Sequence, residues 1–109
     1  MADTSKILAQ SIPSAATSTD LYTVPSATTT VASTICVCNQ SATATTFRIS
    51  VAVAGATLAT KQYLYYDVPI GGNDTFMATI GITLGATDVV RVYATLATLS
   101  FNLFGIETT

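Results

Sequence analysis

The chain contains no histidine and no tryptophan, and only ten of its 109 residues are charged. Without histidine there is no Ser–His or Cys–His nucleophile activation and no imidazole to ligate a metal. The four basic residues, Lys6, Arg48, Lys61 and Arg91, lie far apart, and six acids give a net charge of −2. Phosphate neutralisation needs clustered Lys and Arg, so no nucleic-acid partner is expected. The two cysteines, Cys36 and Cys38, are two residues apart. On a strand they stand side by side on one face, where a disulfide between them would be strained. Two thiols without histidine do not complete a zinc site from one chain. They read as small buried or interfacial side chains, and no cofactor or metal is implied.

Long apolar runs are missing too. Met1–Gln10 carries Asp3 and Lys6 and has no apolar core of a secretory signal. The uncharged stretch between Asp20 and Arg48 is rich in Thr and Ser and is interrupted by Pro25, Asn39 and Gln40. No spanning helix is expected from it. The expectation is synthesis in the cytoplasm and no membrane partner. For catalysis only a carboxylate pair remains, drawn from Asp67, Asp74 and Asp88. Each sits at a strand end or turn, where Asp commonly bonds its own backbone. Asp20, Asp74 and Asp88 show no D-x-D spacing, and Gly71-Gly72 is followed by neither a helix start nor a lysine. The sequence reads as non-enzymatic.

What is abundant is threonine, 21 copies, with 16 alanines and 9 serines. An apolar fraction of 50% and a mean hydropathy of +0.54 therefore reflect strand-forming composition. A folded chain of 11.3 kDa exposes about 5,700 Å² by size scaling. Ten charged side chains cover only a small part of that. The remainder is Thr/Ser/Ala surface or surface buried against other subunits.

The dominant period is two, the mark of half-buried strands. Thr45–Val53 places Phe47, Ile49, Val51 and Val53 opposite Thr46, Arg48, Ser50 and Ala52. Thr75–Leu84 places Phe76, Ala78, Ile80, Ile82 and Leu84 on one side. Asp88–Leu96 does the same with Val90, Val92, Ala94 and Leu96, and Thr98–Ile106 with Leu99, Phe101 and Leu103. In Thr29–Asn39 the expected core face is Val31, Ile35 and Val37, with Ala32, Thr34, Cys36 and Cys38 outside. Lys61–Ile70 alternates less cleanly, and Leu21–Val24 is a short extra strand. Pro13, Pro25, Asn39-Gln40-Ser41, Gly55, Pro69–Asp74, Gly85–Asp88 and Leu96-Ala97 punctuate these runs. The expected fold is all-β: one antiparallel β-sandwich of about seven to eight strands over residues 13–109, Ig-like or jelly-roll-like. Residues 1–12 form an N-terminal arm or an edge strand.

The best functional candidate is a surface. On an extended Lys61–Asp67, the residues Lys61, Tyr63, Tyr65 and Asp67 share a face, and Leu64, Tyr66 and Val68 the other. Arg91 and Tyr93 share a face of their own strand, and Arg48 points away from Phe47 and Ile49. Tyr and Arg dominate interface hot spots. Arg48, Lys61, Tyr63, Tyr65, Arg91 and Tyr93 are thus the candidate interface residues, set against ordinary cross-strand pairing.

Leu21-Tyr22-Thr23-Val24-Pro25, Ile35–Arg48 (Ile-Cys-Val-Cys-Asn-Gln-Ser-Ala-Thr-Ala-Thr-Thr-Phe-Arg) and Asp88-Val89-Val90-Arg91-Val92-Tyr93-Ala94 resemble segments of small β-sandwich structural proteins of tailed bacteriophages. The likeness extends over nearly the whole chain, with Gln40 standing where that pattern has a basic residue. The resemblance implies a virion location and a capsid decoration or cement role, as a homo-oligomer, with a trimer expected, bound to the major capsid protein or other virion proteins. A tail, neck or baseplate component (a fibre adaptor, for example) is the alternative within the virion. A carbohydrate- or host-binding module, stacking sugars on Tyr63 and Tyr65, is an alternative of another class. A cell-surface β domain is disfavoured by the missing signal. The resemblance brings no catalytic residues with it.

Overall fold

The computed structural model describes residues 2–109. Eight strands follow one another: β1 (Asp3–Ser11), β2 (Thr19–Thr23), β3 (Thr29–Asn39), β4 (Thr45–Ala52), β5 (Tyr63–Ile70), β6 (Thr75–Leu84), β7 (Val89–Ala94) and β8 (Leu99–Thr108). The only helical elements among the described residues are two single 3-10 turns, Val53–Gly55 and Thr60–Gln62. The strands form two four-stranded sheets, ordered β1-β8-β3-β6 and β2-β7-β4-β5. We call these sheets A and B. All strand pairs are antiparallel, and they include β1 with β8, β2 with β7, β3 with β6 and β4 with β5. The chain is therefore one long ribbon folded back at its middle and then rolled, so that β8 meets β3 and β7 meets β4. That arrangement is a jelly roll. It is the all-β sandwich expected from the alternation, with eight strands. The first segment lies in it as β1, an edge strand of sheet A.

Burial of the apolar stripe of each strand holds the two layers together. Ile35, Val37, Phe47, Ile49, Val90, Val92, Leu99, Phe101 and Leu103 are at most 1% exposed. Phe47 of sheet B sits at the centre, tilted against the Phe76 ring at 5.1 Å and edge to face with the Phe101 ring at 6.2 Å, both of sheet A. Such offset contacts favour aromatic pairs beyond area burial. A buried Asn39 closes one end. Its amide donates to the Thr43 and Gly71 carbonyls, while its Oδ1 accepts from Ser41 N–H and the Thr98 hydroxyl. One side chain thereby ties three connections together.

The alternation breaks where sheet A bulges. Between Ile7 and Ala9, β1 holds one residue more than β8; between Ala32 and Thr34, β3 holds one more than β8. Across the same line β6 holds one more than β3, at Ile80-Gly81, with Gly81 at φ +58. Each extra residue shifts the side-chain phase by one. Consequently Thr30 and Ala32 face the core, at 1% and 0% exposure, and Val31 stands outside at 41%. This corrects the expectation for Val31 and Ala32, which assumed a single phase through β3. Val53 is a second correction: it follows the end of β4, in the turn where Ala54 takes φ 51, and is 78% exposed.

Candidate interaction surfaces

The outer face of sheet B carries most of the sequence's candidate residues. β4 and β7 run side by side with Arg48 opposite Tyr93 and Ser50 opposite Arg91. The Arg48 guanidinium lies 4.4 Å from the ring centres of both Tyr66 and Tyr93 and 5.9 Å from that of Tyr63. Tyr63 and Tyr66 meet edge to face at 4.9 Å. Arg48 Nε donates to Asp67 Oδ1 at 2.6 Å, and this hydrogen bond, more than any other influence, raises the guanidinium's pKa above its ordinary value. The arrangement is a cation held between aromatic faces and fixed by a carboxylate. Half-exposed, this ion pair contributes little to stability alone.

Arg48, Tyr63 and Tyr93 are thus brought together, and the other three candidates are not. Tyr65 is opposite the buried Ile49 and packs edge to face on Phe76 at 5.4 Å, on the core side. Tyr63, opposite Ser50, faces out. The two Tyr do not share a face because β5 bulges twice against β4, once next to Leu64 and once at Tyr66-Asp67, where Asp67 has φ 49. The same bulges turn Tyr66 into the cluster, a residue the alternation had placed on the opposite side from Tyr63. Its signal in the sequence was the poor alternation of Lys61–Ile70. Lys61 lies in the 3-10 turn before β5, exposed. Arg91 serves a structural end. It pairs with Asp20 at 2.9 Å and donates to the Ala56 and Gly55 carbonyls, strapping the Val53–Gln62 segment across the outside of β4 and β7. Beneath this strap Ser50 and Ala52 are buried.

No family model matches the chain, and neither a curated protein nor a solved structure matches it. The surface has to be read from its own chemistry. The carboxylates offered as catalytic candidates are engaged separately. Asp67 holds Arg48, Asp74 caps the Thr75 N–H, and Asp88 accepts from the Gly85 and Ala54 N–H groups. Among the described residues no three His, Cys, Asp or Glu side chains are grouped as a metal site.

The outer face of sheet A is of a different kind. Strand register places Ser5, Ile7 and Gln10 of β1, Ser100, Asn102, Phe104 and Ile106 of β8, Val31, Thr34, Cys36 and Cys38 of β3, and Met77 and Thr79 of β6 on it. No charged side chain interrupts this set; Asp3, at one end of β1, bonds Thr108. Lys6 and Glu107 point the other way, toward the space between the sheets, where they pair at 3.1 Å. Several apolar side chains stand open on the face: Met77 is 65% exposed, Ile7 52%, Val31 41% and Ile106 38%. Both cysteines are free and half-buried here. Burial pushes the Cys36 thiol pKa up, with a smaller contribution from Cys38, so the Cys36 thiol is not poised for nucleophilic chemistry. Sequence reasoning missed this face, although β3 and β6 contain no charged residue at all.

Proposed function

We propose that the protein is a non-enzymatic structural component of a tailed-phage virion, a decoration or cement protein that stabilises the capsid through contacts between subunits. The observation that carries this reading is the uncharged outer face of sheet A. A set of exposed Met, Ile and Val side chains on a sheet without charges matches the composition of interface cores, which are depleted in charge. Two further points support it. The sequence resembles small virion β-sandwich proteins, and the jelly roll is an architecture shared by viral capsid and lectin domains. Fold analogy alone does not assign a function. In this reading the work is mechanical. Apolar area buried against neighbours contributes about 25 cal/mol per Å², offset by the cost of association and multiplied over many copies. Self-association and contacts to the major capsid protein belong to the same proposal.

Quantitative mass spectrometry of purified particles tests it. Hundreds of copies per particle support the capsid role, tens or fewer place the protein in the tail, neck or baseplate, and absence from particles refutes the reading. The carbohydrate-binding alternative keeps Tyr63 on the outer face of sheet B but not Tyr65, which turns inward onto Phe76.

A further inference from the structure

We infer that the outer face of sheet A pairs with the same face of a second copy of this chain, giving a two-fold, face-to-face dimer. The inference rests on the reading of that face as an interface and names its partner. Three observations point to a second copy. First, the face has no charged side chain between its ends, so a partner bearing charges would leave them desolvated and unpaired. The identical face meets that requirement by construction, and an isologous contact needs only self-complementarity. Second, the area suffices. Four strands about 4.8 Å apart and about ten residues long cover roughly 600 Å². Two copies then bury about 1,200 Å², the lower end of a specific interface. Third, the polar groups on the face are suited to burial. Gln10 donates to Asn102 Oδ1 at 2.7 Å, and the remaining polar side chains are uncharged Ser and Thr, whose hydroxyls can both donate and accept and so can pair with the same groups of the second copy. The outer face of sheet B fits the role poorly, since Arg48, Asp67, Arg91 and Asp20 would face their own copies there.

Sedimentation velocity across a micromolar to sub-millimolar range tests this on the full chain. The expected result is a monomer–dimer equilibrium for the native protein. Met77→Glu, at a side chain open to solvent in the monomer, should weaken the dimer at least about 100-fold by burying a carboxylate twice at the pair. Val53→Glu, on the exposed turn after β4, should leave it unchanged. In the same samples, alkylation of Cys36 and Cys38 should slow as concentration rises, and should not in Met77→Glu. This second readout on native protein holds even if the variant misfolds. A native monomer throughout the range overturns the inference, as does a trimer or a dimer that keeps its affinity in Met77→Glu. The virion reading is decided separately, by the copy number on particles, so a monomeric protein abundant on particles would sink the pairing alone.

Discussion

Asn39 and Gly105 are two positions where a single atom decides the packing. Asn39 is 1% exposed and all its amide groups are engaged. Asn39→Ala leaves partners of four hydrogen bonds to find others, at least some of them shielded from water. A loss of about 2–4 kcal/mol is expected, read as a lower midpoint in urea denaturation. At Gly105 an added Cβ would come within 2.2 Å of the Val31 carbonyl and 2.9 Å of Leu8 Cδ1. Gly81, at φ +58, has nothing within 4 Å of such a carbon. Gly81→Ala should therefore cost only the left-handed backbone penalty, about 1–2 kcal/mol. Gly105→Ala forces backbone apart at the junction of three strands and should cost clearly more. Equal effects in thermal unfolding would show that the close approach at Gly105 is not what fixes it.

At the scale of strands, Glu107 links the sheets. It accepts from the Tyr22 hydroxyl of β2 at 2.5 Å and pairs with Lys6 of β1 at 3.1 Å. The Tyr22 hydrogen bond, then Lys6, holds the Glu107 carboxyl below its ordinary range. Burial first, and Glu107 second, pushes the Tyr22 phenol up from 10.0 to about 12. The two signs differ. The folded state binds fewer protons than the unfolded at Glu107, so that stabilisation is present above the ordinary carboxylate pKa and fades as pH falls through the depressed one. At Tyr22 the folded state keeps a proton the unfolded chain releases above pH 10.0, so stability falls as pH rises from there toward 12. Melting curves of Glu107→Gln should lose this group's share of the acid-side slope; an unaltered slope would mean that the link contributes nothing.

Strands are also where the sequence was most and least legible. The alternation in Thr75–Leu84, Asp88–Leu96 and Thr98–Ile106 found the buried residues Leu84, Val90, Val92, Ala94, Leu99, Phe101 and Leu103. It failed in β3 and β5. A bulge leaves the composition untouched and reverses every later side chain, so Val31 was placed inside and Tyr65 outside. Only Gly81 among the sheet A bulge positions is a residue type that marks a bulge, and its partners Ser33 and Leu8 gave no warning. The Arg48 cluster was half legible for the same reason: Arg48, Tyr63 and Tyr93 follow from alternation, whereas Tyr66 arrives by the Asp67 bulge. Which strands share a sheet was outside the reach of periodicity, because that depends on pairings such as β1 with β8, nearly the whole chain apart.

For the whole molecule, the accessible surface is 5463 Å², and its charges are not spread over it. They line the outer face of sheet B, the turns and the seam between the sheets, while the outer face of sheet A has none apart from Asp3 at its end. This answers the scarcity that opens the sequence: ten charges suffice because one broad face does without them. It also gives an expectation for particles bearing the protein. Met77→Glu should lower its occupancy if the sheet A face is used there, measured by gel densitometry against the major shell protein; full occupancy would move the contact elsewhere.

The one-sided charge distribution leaves a thermodynamic fingerprint. Contacts made through ion pairs weaken when sodium chloride shortens the screening length. Contacts made through Met77, Ile7, Val31 and Ile106 have no such pairs to screen. They should instead tighten on warming from the cold and in sulfate, and show a negative heat-capacity change. The proposed sheet A contact should therefore persist in seawater-strength salt and weaken on ice.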